Sequence, residues 1–343
     1  MKKLPLLLVS LLVYTMLTAQ SEAILKYVGK GVEMHDKGDY NGALKEFKKA
    51  LALDSNSDIA NTEIANTYFS IKDYPHAIEH ADKVIAKNNR YLDNVYVTKG
   101  SSLDMMGKPQ EAIAIYRKGI KVSPKHHLLY YNLAMTCYGQ KQFAESIDAL
   151  KKGLELYSAH ASSHLMLGFV MQEQGDNIKS LLALYNFLLL EPMGGRAEKA
   201  VAAIQLDMSA GMRTEKSGGK TNLYTTVSDT SDDFTSVSFS LQLLQASQMT
   251  DDSKKKKSEA EMFMQKTTTF LGLLKTLKKN NSGFWWNYYV DFYIDMFKDK
   301  DRQEAFVHVI ASPLNDNKVT EWIKNNKPKI DKLIHWFQSA RKI

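Results

Sequence analysis

Apolar positions along the chain follow a helical spacing almost throughout, and that spacing repeats as a block. Aligned on itself, the sequence shows five units beginning at Ile24, Asp58, Asp93, His127 and Ala161, at steps of 34, 35, 34 and 34 residues. The first carries Gly31, Gly38, Tyr40, Ala43, Phe47 and Ala50, and the second Ala65, Tyr68, Tyr74, Ala77, Ala81 and Val84. The third has Gly100, Leu103, Gly107, Ala112, Tyr116, Gly119 and Pro124, and the fifth Leu167, Gly168, Gly175, Ser180, Leu184, Phe187 and Pro192. The fourth is looser, with Leu133, Ala134, Phe143, Ser146, Leu150 and Gly153. Each unit reads as two antiparallel helices. Small residues such as Ala65, Gly100, Ala134 and Gly168 let the pair approach, and an aromatic or leucine side chain fills the seam. Breaks at Lys37-Gly38-Asp39, Met106-Gly107-Lys108-Pro109 and Gln174-Gly175-Asp176 fall where the hairpins turn. A helix pair leaves one apolar face open, so the units must stack, and a small rotation between neighbours curves the stack into a superhelix.

A 34-residue period with these residues resembles the tetratricopeptide repeat family, over residues 24–192. The departures are Ala81, where a large residue is expected, and the missing closing proline in units one, two and four. The resemblance implies an all-α fold, an αα-superhelix followed by a helical C-terminal region. It also implies that the first helix of each unit lines a concave groove. Carried over unit by unit, the groove takes in Leu25, Val28, Asn66, Phe69 and Thr62, then Met105, Tyr131, Met135, Tyr138 and Phe169. Family members that grip C-terminal carboxylates do so with lysine, arginine and asparagine. Asn66 alone matches, so a carboxylate clamp is not expected. Tyr131, Met135, Tyr138 and Phe169, with Phe69 and Asn66 beside them, are the expected contacts to a protein or peptide partner. The competing reading packs the aromatic strip against the chain's own C-terminal half.

Residues 197–208 read as a capping helix, so the repeat region is expected to span 22–208. Residues 209–233, rich in Ser, Thr, Gly and Asp, read as a polar flexible loop, and 234–343 as a mainly helical region. Within it, 234–245 suits a strand or a short helix, and helices are expected over 259–277, 283–297, 302–310, 318–324 and 328–337. Segment 283–297 is apolar over most of its girth and belongs in a core or an interface, which would also allow oligomerisation. In the last helix Ile330, Leu333, Ile334 and Phe337 form one stripe, with Pro328 in its first turn.

The N-terminus changes the picture of where the protein works. Lys2-Lys3, an apolar run from Leu4 to Tyr14 and the exit Thr18-Ala19-Gln20-Ser21 form a secretory leader over residues 1–20. Its end resembles the signal peptides of Bacteroidetes-type bacteria, which places the mature chain in the periplasm or outside the cell, with no stable transmembrane span after cleavage. Residues 22–192 carry 20 basic and 20 acidic side chains, while 193–343 carry 23 and 18. Much of that excess is Lys254–Lys257, and only 6 of 45 basic residues are arginine, which argues against a nucleic-acid surface.

Candidate chemistry is thin. His76-Ala77-Ile78-Glu79-His80 matches the H-x-x-E-H string of one zinc-peptidase class, but it sits on a repeat helix with Ala77 at a packing position. Ser217-Gly218-Gly219-Lys220-Thr221 lacks the first glycine of a phosphate loop, which would stand at Thr214. His160 and His164 read as structural, and the single cysteine, Cys137, as a small hydrophobe. No catalytic residue, metal or cofactor is expected. The sequence describes a non-catalytic interaction adaptor or scaffold of the cell envelope. The alternatives are an enzyme accessory with its site in the C-terminal region, or a structural oligomer-former.

Overall fold

A computed structural model describes residues 4–87, 92–210, 212–217, 220–225, 234–249 and 257–341. The run Lys254–Lys256 and the pair Gly218-Gly219 lie outside them, as do the first residues of the leader. The chain divides into two compact units, Met1–Ala149 and Leu150–Ile343.

The first unit is a stack of helical hairpins: α1 (Leu4–Asp36) with α2 (Tyr40–Leu53), α3 (Asp58–Ser70) with α4 (Tyr74–Ile85), and α5 (Leu92–Met105) with α6 (Pro109–Val122). Next come α7 (His127–Gly139) and α8 (Phe143–Leu156), within which the boundary between the units falls. Two local rules build each hairpin. The eighth residue of a unit is small because the twenty-fourth lies against it: a Cβ on Gly31 would sit 2.2 Å from the Phe47 ring, and one on Gly100 2.4 Å from Tyr116. Nothing larger than glycine fits without moving a buried ring. The fifteenth residue takes a left-handed backbone, at Gly38 and Gly107 with φ 81° and 74°. Lys72 and Lys141 occupy the same place at φ 64° and 57°, against the preference of a side-chain-bearing residue. Asp39 and Asp73 follow directly and cap α2 and α4 by accepting from the amides of Gly42 and His76.

The second unit joins the end of α8 to α9 (Ala161–Glu173), α10 (Asn177–Leu190) and α11 (Gly195–Ser209). Then come strands β1 (Met212–Ser217) and β2 (Lys220–Thr225), and helices α12 (Thr235–Met249), α13 (Glu259–Leu277) and α14 (Asp291–Met296). A π-helical stretch, Trp285–Val290, leads into α14, and α15 (Lys300–Ala311), α16 (Asn317–Asn325) and α17 (Lys327–Arg341) complete it.

Three expectations are corrected here. The polar segment 209–233 is not all loop: β1 and β2 pair antiparallel, Met212 opposite Thr225 and Ser217 opposite Lys220. Backbone pairing of the two segments succeeds where the sequence gives no alternating pattern to read. The helix expected over 283–297 begins as a π-helix, which spreads five aromatic side chains, Trp285 to Phe292, over more of the circumference. The stripe on α17 is narrower than expected: Leu333 and Phe337 are buried, whereas Ile334 is 46% exposed.

The larger difference is where the molecule divides. The sequence places its boundary near residue 208, but α9–α11 belong to the same compact unit as the C-terminal helices. The reason is α10, buried along its whole length from Ile178 to Leu188 except for Lys179. Tyr185 meets the rings of Phe263, Phe270 and Phe306 at 6.2–6.4 Å and donates to Thr267 Oγ1. Tyr293 OH donates to the Leu182 carbonyl at 2.8 Å and accepts from Asn186 Nδ2 at 2.7 Å. Trp286, Tyr289 and Tyr293 of the aromatic segment are buried in this core. Arg341 lies across Tyr288 and Phe292, 4.2 and 4.0 Å from their ring centroids, and donates to Tyr288 O and Asn186 Oδ1.

His164 on α9 is fully enclosed in the same core. Its Nε2 faces the Ser158 carbonyl at 3.0 Å, so that nitrogen carries the proton, and Nδ1 accepts from Tyr289 OH at 2.7 Å. Burial, with the nearby Arg341 charge, pushes its pKa down to about 3.

Two tests follow from these packing rules. Lys72→Gly and Lys141→Gly each raise unfolding free energy by about 0.5–1 kcal/mol, because glycine adopts the left-handed turn at lower cost. Gly107→Lys lowers it by a similar amount, both read from urea midpoints. For His164 the neutral form is the folded form, so its contribution is complete above about pH 6.5 and is lost as pH falls toward about 3. Urea titrations between pH 7 and 5 give a stability slope approaching about 1.4 kcal/mol per pH unit from this residue. His164→Gln removes that component.

Candidate inner-face binding site

In the first unit, α1, α3, α5 and α7 touch one another in succession, while α2, α4 and α6 pack against these first helices. The side on which neighbours come closest is the inside of the curve, so the first helices form the inner face. A polar ladder ties them together. His35 Nδ1 lies 3.0 Å from Thr67 Oγ1, Thr98 Oγ1 donates to Asn66 Oδ1 at 2.7 Å, and Thr136 Oγ1 donates to Asp104 Oδ2 at 3.0 Å. His35 and Asp104 hold the twelfth place of their units, and Thr67 and Thr136 the tenth. This ladder escaped the sequence reading, although its trace is present: polar residues recur where a fully apolar face would have leucine.

On that face the expected contact residues separate by role. Met135 is 40% exposed, and Met105 and Leu25 reach 61% and 54%. Tyr131, Tyr138 and Phe69 are half-buried, each offering part of a ring. Tyr138 leans edge-on against Phe143 at 5.9 Å and Phe69 lies tilted against Tyr74 at 5.8 Å, so both rings are braced by the start of the second helix. His35 is braced the same way by Tyr40 at 5.1 Å. Asn66 is engaged in the ladder, which makes it a spacer between helices before it is a contact for a partner. Val28 and Thr62, expected on the groove surface, are 4% exposed and belong to the packing beneath it. Phe169 lies on α9 in the second unit, half-buried. Asp104 and Glu63 are acidic groups of these first helices, and burial raises the Glu63 pKa against the opposing hydrogen bond from Asn66.

The other candidate residues have structural roles. His76 Nδ1 pairs with Asp73 Oδ2 at 2.7 Å and His80 Nδ1 with Asn61 Oδ1 at 2.8 Å, and both imidazoles stack on Tyr68. Burial pushes the His80 pKa down to about 4, so at neutral pH it is an uncharged packing residue. Among the described residues no three His, Cys, Asp or Glu side chains gather where they could hold a metal ion. Cys137 is buried on α7, and burial, with Glu145 nearby, pushes its thiol up to about 12. Among the described residues no helix is long and apolar enough to cross a membrane.

Stacked helical hairpins with a small-residue seam and a half-open inner face define a helical-repeat solenoid. The family model of the TPR repeat matches residues 31–90, and that of anaphase-promoting complex, cyclosome, subunit 3 matches 70–153. A TPR repeat-containing protein of Methanocaldococcus jannaschii is 35% identical over 133 residues, 38% of this chain and 23% of that protein. The small glutamine-rich tetratricopeptide repeat-containing protein 2 of Mycosarcoma maydis is 31% identical over 96 residues, 28% of this chain and 27% of that one. The chain thus spans about a quarter of the length of these curated relatives. Among solved structures, pilF of Pseudomonas aeruginosa is 19% identical with a TM-score of 0.49, covering 54% of this chain and 82% of that one.

The buried thiol supplies a check on the first unit. Iodoacetamide at pH 8 leaves Cys137 unmodified in the folded protein and alkylates it in urea, because the reactive species is the thiolate. Rapid native labelling at that pH would show that α7 is open where the structure closes it.

Proposed function

We propose that the protein is a non-catalytic adaptor or scaffold of the cell envelope that holds an apolar segment of a partner protein on the inner face of α1, α3, α5 and α7. One observation carries this reading. Exposed methionine and leucine side chains alternate there with half-buried, braced aromatic rings. Braced rings lose little rotamer freedom on binding, and methionine adapts to the shape of what it meets. The acidic groups of these helices favour a segment with neutral or basic flanks. Phe169, on α9, is a partner contact of the second unit by itself. Export by residues 1–20 places this activity in the periplasm or outside the cell.

Photo-crosslinking in the native envelope tests it. A photoreactive residue at Met135 or Met105 captures a defined partner, and one at the exposed outer-face position Lys118 does not. Tyr131→Ala combined with Tyr138→Ala weakens the Met135 crosslink about tenfold or more while far-UV circular dichroism is retained. The same products from Met135 and Lys118 would sink the groove. Deleting residues 1–20 leaves the protein in the cytosolic fraction, and a fraction unchanged by that deletion would remove the envelope assignment.

A further inference from the structure

The two ends of α11 are fastened in different ways. At its start Gly194 takes φ 91° and Gly195 follows, and a Cβ added at either would meet nothing within 4 Å. Two unencumbered glycines between α10 and α11 form a hinge, because they absorb a change of backbone angle at little steric cost. Arg196 anchors the hinge. It pairs with Glu191 at 3.3 Å, donates to Ser162 Oγ at 3.0 Å and lies over the Phe187 ring at 5.3 Å. Further along, α11 meets α13 loosely: Gln205 donates to Glu259 Oε1 at 2.7 Å beside a slot of about 180 Å³ lined by Met208, Met262 and Phe263.

At the other end Asp207 is 3% exposed. Its Oδ1 accepts from Gln172 Nε2 of α9 at 2.8 Å, while its Oδ2 is buried without a hydrogen-bond partner. The Ser180 hydroxyl of α10 faces the carboxyl yet meets no partner in hydrogen-bonding geometry. No counter-charge balances this group. The ionisable residues of α9 are His164, enclosed and uncharged, and Glu173, exposed. Lys179 of α10 is bound to Asp176 at 2.5 Å, and Tyr185 donates to Thr267. Helix α12 and the 3-10 turn Ser312–Leu314 carry no ionisable side chain, α13 presents Glu259 and Lys266 at the slot, and α11 itself has Arg196, Glu198 and Lys199 near the hinge. Among the described residues no lysine, arginine or histidine pairs with Asp207. Burial, helped by the Asp176 charge and opposed by Ser180 and Gln172, pushes its pKa up to about 6.

We propose that Asp207 is a proton-operated latch: protonated, it holds α11 on α9 and α10, and on losing the proton it frees α11 to open about Gly194-Gly195. The proton lets Oδ2 donate to the Ser180 hydroxyl, which satisfies both bare groups in the closed state. Ionisation leaves a buried charge without a counter-ion, and opening relieves it by admitting water. An ordinary aspartate titrates near about 3.9. The hold is therefore complete below that pH and is lost as pH rises to about 6. Two pH units of difference amount to about a hundredfold in the opening equilibrium. Opening uncovers the Met262 and Phe263 wall of the slot. The latch lies in the second unit, so its failure leaves the inner-face reading of the first untouched, and the reverse holds too.

Hydrogen exchange of the full chain, read by mass spectrometry and corrected for the intrinsic pH dependence of exchange, tests the latch. The opening equilibrium of α11 rises about a hundredfold between about pH 4 and 7, while α15 keeps its protection. His164 steadies the unit as pH rises, so it cannot produce this increase. Asp207→Asn keeps the shape without the charge and holds α11 closed over the whole range. Ser180→Ala moves the rise to higher pH, because that hydroxyl favours the ionised carboxyl. Protection of α11 that does not change with pH would overturn the proposal. So would a rise that survives Asp207→Asn, or an equal loss of protection in α11 and α15, which is unfolding of the unit and not a latch. If Asp207→Asn does not fold, Ser180→Ala decides, and a rise left where it was in the wild type sinks the idea.

Discussion

A two-helix hairpin cannot close its own core, and everything else in this molecule is a response to that constraint. In the first unit the open face of each hairpin is covered by the next, so one seam is copied: Gly31 against Phe47, Gly100 against Tyr116. The copying tolerates local defects. Ala81 stands where a large residue would, yet it and its opposite Ala65 are both fully buried, so neighbouring side chains close over the place. A solenoid shares such a defect between adjacent interfaces, whereas a single globular core would keep it as a cavity.

In the second unit the same constraint has a different solution. The hairpin of α9 and α10 keeps the repeat's seam, with Gly168 against Leu184. Its remaining face is covered by α13, α15 and the aromatic stretch before α14. Buried hydroxyls and amides make that cover specific: Tyr185 to Thr267, Tyr293 to Leu182 and Asn186, His164 to Tyr289. Each of these groups would be costly to bury alone, so the cover fits in one register only. Trp286, Tyr289 and Tyr293 of the aromatic segment are buried inside this core.

Function follows from what each unit leaves uncovered. The first leaves an inner face of braced rings and exposed methionines, which the proposed function gives to an apolar partner segment. The second leaves a cleft lined by Tyr288, Trp336 and the carboxylates of Glu155, Asp291 and Asp295. The inner face is preformed, so on the proposed reading a partner would meet a surface that needs little ordering before contact. The titratable groups that resemble catalytic parts, His76, His80, His164 and Cys137, are committed to packing and hydrogen bonding instead.

Much of this was legible from the residues in order, because repeat length, seam residues and turn chemistry are local. Glycine at 31 and 100 against a large residue sixteen positions on needs only helix geometry to be understood, and so does glycine or lysine at the hairpin turn. Asn66, Phe69, Tyr131, Met135 and Tyr138 were assigned to one face through the resemblance to the tetratricopeptide repeat. What periodicity could not distinguish is a side chain on a surface from one just beneath it, as Val28 and Thr62 show. Nor could it find the β1–β2 ribbon, which rests on backbone pairing, or the tenth-to-twelfth-place ladder, which joins atoms 32 residues apart. The allegiance of α9–α11 was beyond it altogether. The sequence by itself determined the hairpins, their turns and the need for each to be covered, since those depend on neighbours along the chain. Tertiary structure alone decided what covers the last hairpin, because that choice is made by groups such as His164 and Tyr289, 125 residues apart, that meet only when the chain has folded.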